Sequence, residues 1–196
     1  SYCIAAHRVG RIALAVTNYG IFGAGATGAS SSYIKGVNAD CFTGGQMPAC
    51  EYPKGSGTEY LYSGNFWIGA VVGRDTLVSV GADGWQQDME FNPDDPPFGD
   101  MLYRSIMDPS RPEFEGAVSE EEFLSKYTDT ITSGVRGLLQ DRIDGRPHRP
   151  LRIEVSERSF AWSYDYAEDF VLFDYSITNI GFRQLSRVFM GVYVDA

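Results

Sequence analysis

The sequence predicts an antiparallel β-sandwich, of jelly-roll or immunoglobulin-like kind, with one short helix and long Gly/Pro-rich loops. Three observations carry that expectation. The 196 residues include 12 Tyr, 12 Phe and 3 Trp, rings that fill a pleated face well. Glycine, at 22 residues, punctuates short apolar runs where turns and bulges are needed. Within those runs apolar residues recur at every second position rather than at helical spacing. A chain of this length suits one sandwich domain over 1–196, expected as one module of a longer polypeptide.

The elements follow in chain order. Residues 9–17 set Ile12, Leu14 and Val16 against Arg11, Ala13, Ala15 and Thr17, the alternation of a half-buried strand. The stretches 59-EYLYSGNFWIGAVV-72 and 75-DTLVSV-80 read as two strands around a tight turn at Gly73-Arg74. Residues 84–150 form an insertion-like region that opens with Pro, Asp and Gly and centres on 92-NPDDPPFGD-100. Within it, 119-SEEEFLSKYTDT-130 predicts the one helix, near 119–128. Ser119 serves as N-cap, Glu122 three residues later completes a capping box, and the acids lie over the positive end of the helix dipole. Strands resume over 151–166, 169–179 and 185–195. The last two are expected to close a hairpin at Ile180-Gly181, because Asn and Gly tolerate positive φ. Its faces would bring Val171, Phe173, Tyr175 and Ile177 against Val188, Met190, Val192 and Val194.

Charge excludes several function classes. Sixteen basic against 26 acidic residues give a net charge of −10, which repels phosphate backbones and anionic lipid surfaces, so neither nucleic acid nor membrane insertion is expected. Apolar runs such as 66–73 fall far short of the roughly 20 residues that cross a bilayer as a helix.

Cysteine usage points outside the cell. Cys41 and Cys50 bracket 41-CFTGGQMPAC-50, whose glycines and proline let the ends meet, and this pair is the expected disulfide, with Cys3 left over. The chain opens at Ser1-Tyr2-Cys3 without an initiator Met or a leader, as expected after removal of a signal peptide.

Motifs for chemistry are thin. The run 23-GAGATG-28 satisfies G-x-G-x-x-G, but neither an amphipathic helix nor an acid some 20 residues on follows it, so it reads as a Gly-rich connection. Only two histidines are present. His7 stands near the start; His148 lies among Arg142, Arg146 and Arg149, which would disfavour its protonation. There is no G-x-S-x-G elbow and no metal-ligating His spacing, so no catalytic residue is assigned. Asp83, Asp88, Glu90, Asp94, Asp95 and Asp100 crowd one region. Paired acids for glycoside hydrolysis are one use of them; a calcium ion held by Asp94, Asp95 and Asp100 is another, against a solvated acidic loop.

In 158-RSFAWSYDYAED-169, Phe160, Trp162, Tyr164 and Tyr166 fall at every second position, so an extended strand would show four rings on one face. Burial is the expected use, because four exposed rings exceed the apolar patch usual for a monomer. A sugar-stacking platform for polysaccharide is the alternative.

The run 162-WSYDYAEDFVLFDYSITNIGFRQLSRVFMGVYVDA-196, together with 16-VTNYGIFG-23 and 59-EYLYSGNFWIGAVVGRDTLVSVGADGW-85, resembles segments of large secreted surface proteins from bacteria that use type IX secretion. The resemblance covers about half the chain in scattered blocks. It implies an extracellular β-rich module, often of a longer polypeptide with a C-terminal sorting domain, and transfers no catalytic residue. The expected function is a structural or interaction module at the cell surface, assembling with copies of itself or other surface proteins, as a filament or layer. A carbohydrate-binding module and a hydrolase fragment are the alternatives.

Overall fold

A computed structural model describes residues 2–24, 39–82, 89–94, 99–133 and 145–196. Two antiparallel sheets face each other as a β-sandwich. The chain first lays down β1 (Ile4–His7), β2 (Ala13–Thr17), β3 (Ile21–Phe22), β4 (Cys50–Glu51), β5 (Ser63–Val72) and β6 (Asp75–Val80) in one sheet. It then crosses to build a second from β7 (Asn92–Pro93), β8 (Leu102–Arg104), β9 (Glu121–Thr128), β10 (Ile153–Ala161) and β11 (Leu172–Asn179). Finally it returns to the first sheet as β12 (Ser186–Asp195). The first sheet runs β1-β2-β3-β5-β12, with β4 beside β2 and β6 beside β5; the second runs β11-β10-β9-β7, with β8 also on β9.

Period-two patterning places the core. Phe66, Ile68, Ala70 and Val72 of β5 turn inward and pack against Tyr127 of β9 and Ile153 and Val155 of β10. Each such aliphatic or ring contributes about 1.5–3 kcal/mol on burial. Tyr175 of β11 stacks on Phe66 with centroids 4.2 Å apart, and Phe173 meets Phe22 of β3 at 5.2 Å. Toward the other end, Ala5 and Val16 of β1 and β2 pack on Phe123 of β9. The predicted turn at Gly73-Arg74 is present: Val72 pairs with Asp75, and Gly73 takes φ +67°.

Three expectations are overturned. Residues 119–128 form no helix; β9 occupies 121–128. A capping box is worth about 1 kcal/mol locally, whereas β9 is laddered along its length to β10 and on its other side to β8 and β7. Its inward residues are Phe123, Ser125 and Tyr127, a period of two that the three leading acids, Glu120 to Glu122, obscure. Glu122 does reach back, but to the Val118 N–H at 3.2 Å. The only helical piece among the described residues is a 3-10 turn, Pro112–Phe114.

The closing strands form no hairpin. β11 pairs with β10, and β12 pairs with β5, so the Ile180-Gly181 turn carries the chain from one sheet to the other. Asn179 shapes that turn by accepting the Gly181 N–H at 3.0 Å and donating to the Arg183 carbonyl at 2.8 Å. A turn does fall here, although neither Asn179 nor Gly181 takes positive φ; what it turns toward is set by packing.

The disulfide is Cys3–Cys41, with Cα atoms 5.7 Å apart, and Cys50 is free. Strand pairing decides this. The Cys41 N–H donates to the Ile4 carbonyl at 2.9 Å, which seats Cys41 beside Cys3. Cys50 is held in β4 opposite Leu14, its N–H on the Glu59 carboxylate at 2.7 Å. Closing a separation of 38 residues stabilises by about 4 kcal/mol in the chain-entropy picture. Peptide mapping without reduction is expected to yield a Cys3–Cys41 cross-link and an alkylated Cys50; a Cys41–Cys50 cross-link would contradict this register.

Candidate functional site

Buried polar groups come first, because buried charge is where chemistry is usually installed. Asp129, at the end of β9, has no solvent exposure. Its carboxylate accepts from Ser79 Oγ at 2.6 Å, the Leu151 N–H at 2.6 Å and the Ile153 N–H at 2.9 Å. It therefore joins β6 of one sheet to the start of β10 in the other. Its carbonyl lies 2.7 Å from His148 Nε2, and Nδ1 of the same ring lies 2.8 Å from Glu90 Oε1. Burial works against a charge on His148, but the Glu90 carboxylate and the Asp129 backbone outweigh it and raise the pKa. The arginine neighbours predicted the reverse. Arg149 instead pairs with Asp75 at 2.6 Å, while Arg142 lies outside the described residues.

A second group joins three elements. His7 Nε2 is 2.8 Å from Ser159 Oγ, and His7 Nδ1 is 3.4 Å from Glu121 Oε2. That is the order of groups in a hydrolytic triad, an arrangement that local sequence spacing could not reveal. Access decides its role. His7 is fully buried and Ser159 nearly so, and Phe123 stands edge-on to the imidazole at 4.8 Å. The Glu121 carboxylate also accepts the N–H groups of Arg8 and Val9. This is a tie from β1 to β9 and β10 across the core, closed to a substrate.

Glu157 lies on the inner face of β10 and is buried, and Tyr127 donates to its Oε2 at 2.8 Å. Burial pushes its carboxyl up to about 8, only partly offset by that hydrogen bond, so it is neutral at pH 7. On the outer face of the same sheet, Glu122 is fully buried under Arg158, which binds it at 2.6 Å and lies 5.0 Å from the Phe160 ring centre.

The sequence-nominated residues scatter. β10 ends at Ala161, so Phe160, Trp162, Tyr164 and Tyr166 do not share a strand face. Glu120 ends the extended run by binding the Ser163 N–H and hydroxyl, and Tyr164 O accepts the N–H groups of Ala167 and Glu168 in a turn. Phe160 is buried and stacked on Trp162; Tyr164 and Tyr166 point outward, stacked on each other at 5.5 Å. Asp94 and Asp100 lie on the second-sheet side, whereas Asp95, like most of 23-GAGATG-28, lies outside the described residues. Among the described residues no group of three or more His, Cys, Asp or Glu could hold a metal ion.

The most unusual feature is apolar and exposed. Along β12, Met190 pairs with Ile68, Val192 with Phe66 and Val194 with Gly64, so all three share the inward face. They are nonetheless 58%, 51% and 54% exposed, and no β12 residue belongs to a core cluster. On the outer face Phe189 is exposed and Tyr193 stacks on Trp67 at 5.6 Å. Phe182, on the link between β11 and β12, is fully exposed. The sequence expectation packed Met190, Val192 and Val194 against the preceding strand, and so did not mark this face. The available signal was 188-VFMGVYV-194, an unbroken nonpolar run typical of a strand covered on both faces.

No protein-family model, curated protein or solved structure matches this chain. No helix among the described residues is long and apolar enough to cross a membrane, and the disulfide is consistent with an extracellular protein.

Two outcomes test the polar interior. Asp129→Ala leaves one hydroxyl and two N–H groups unpaired and should cost at least about 3 kcal/mol of unfolding free energy, read by denaturant titration. For Glu157 the folded value of about 8 lies above the ordinary 4.5, so the wild type loses stability as pH rises from about 4.5 to about 8. Glu157→Gln removes that loss. Its advantage should be smallest near pH 4 and grow by several kcal/mol, on the order of 4, toward pH 8; a pH-independent difference would refute the neutral buried acid.

Proposed function

We propose that the chain is an extracellular structural or interaction module that joins other polypeptides through the open β11–β12 side of its sandwich. The observation that carries this is β12, a strand apolar on both faces yet placed at a sheet edge with both faces uncovered. Single exposed apolar residues are ordinary, but the exposed Val188, Phe189, Met190, Val192 and Val194 along one strand support an interaction surface. The disulfide supports an oxidising compartment. The likeness of 162–196 to type IX-secreted surface proteins points the same way, toward one unit of a larger cell-surface assembly. A polysaccharide reading keeps only the exposed Tyr164–Tyr166 pair, and for a hydrolase reading the Ser159–His7–Glu121 row is closed off by the core.

Sedimentation velocity over a concentration series tests the assembly. The wild-type chain is expected to form concentration-dependent multimers, which Phe182→Lys with Phe189→Lys shifts toward monomer. A wild type that stays monomeric throughout would contradict self-assembly.

A further inference from the structure

We infer that the sandwich is one strand short, and that the gap beside β11 and over β12 is filled by an extended segment of another polypeptide with apolar residues at alternate positions. This rests on the interaction-module reading and specifies its partner.

Two independent features meet at the gap. The first is a free backbone edge. The Ile180 N–H donates to the Arg152 carbonyl at 3.0 Å, and the β10–β11 register continues from there without a break. In an antiparallel ladder the hydrogen-bonding direction alternates by residue. Thr178, Ser176 and Asp174 therefore point their backbone groups at β10, whereas Ile177, Tyr175 and Phe173 point theirs away from it. Among the described residues no strand pairs with β11 on that side.

The second feature is the uncovered inward row of Met190, Val192 and Val194. The second sheet advances over the first in step: Phe123 of β9 lies over β1 and β2, and Tyr175 of β11 lies over Phe66 of β5. The neighbour of β5 on the far side is β12. A strand added to β11 at the usual spacing of about 4.8 Å therefore lies above β12. It would satisfy the β11 backbone and bury that row in one step, the mode of recognition in which a peptide completes a sheet.

Geometry and charge select the occupant. A second copy docking its own β12 against this one would extend the first sheet and leave Met190, Val192 and Val194 as exposed as before. An extended segment on β11 covers them. Because the chain carries a net charge of −10, a neutral or basic segment is favoured over an acidic one.

The probe is a synthetic peptide of alternating valine and threonine flanked by lysines, with a serine–threonine peptide of the same charge as control. Added to the intact chain, the valine peptide is expected to slow amide exchange at Phe173, Tyr175 and Ile177 by about tenfold or more, and the control to leave it unchanged. Val192→Lys and Met190→Lys should each weaken peptide binding about tenfold or more. Val78→Lys, an exposed residue on the outer face of β6, should change it less than about twofold. Slowing confined to β12 amides, no slowing at saturating peptide, or equal loss with Val78→Lys would overturn the inference. The wild-type exchange measurement needs no variant to fold. Multimers that form without peptide protection at β11 would defeat the missing strand and leave the assembly reading intact; peptide protection in a chain that stays monomeric would do the reverse.

Discussion

Two sheets of unequal width govern this molecule. Inward-facing residues in a sandwich are stabilised by the opposite sheet, and among the described residues the second sheet stops at β11 while the first continues to β12. The inward residues of β1, β2, β3 and β5 are covered and supply most of the packed clusters. At β12 the same inward geometry meets solvent, and residues suited to a core become a surface. The side chains of β12 are those of a strand inside a sheet, and its position is that of an edge. Natural edges are usually blunted with charge, proline or bulges. β12 has one register shift, between Ser186 and Phe189 and including Arg187, and no charged side chain from Val188 to Val194.

The covered part is pinned by polar ties as well as by rings. Asp129 binds the first sheet through Ser79 and the second through two backbone N–H groups, and His7 does the same through Ser159. Such ties contribute little net energy when made and cost much when half broken, so they choose one relative placement of the sheets over its neighbours. That placement leaves the gap in one location. The Ser159–His7–Glu121 row shows why geometry alone does not define a catalytic site: the order of groups is right, and the core closes them off.

The fold class was legible because it depends on local periodicity. Phe66, Ile68, Ala70 and Val72 alternate with smaller or half-exposed residues, and the β5–β6 turn followed from Gly73. The errors arose where local signals compete with distant pairing. Ser119 and Glu122 spell a helix start, but β10 and β8 hold that segment extended. Cys41 and Cys50 are close in sequence, but β2 holds one of them and the Ile4 backbone the other. The Asn179–Gly181 turn is real, yet sequence could not say that the strands on either side enter different sheets. Of the candidate surface, the apolar run of β12 was visible, and its lack of cover was not, because cover is a property of the opposite sheet.

The most direct test reads cover residue by residue. The five methionines divide into Met47, Met89 and Met101, each under 10% exposed, and Met107 and Met190, at 65% and 58%. Thioether oxidation follows exposure. With dilute peroxide, at a protein concentration where the chain is monomeric, Met190 should oxidise at a rate comparable to Met107 and well ahead of the other three. A Met190 as slow as Met89 would mean that β12 is already covered and that no strand is missing.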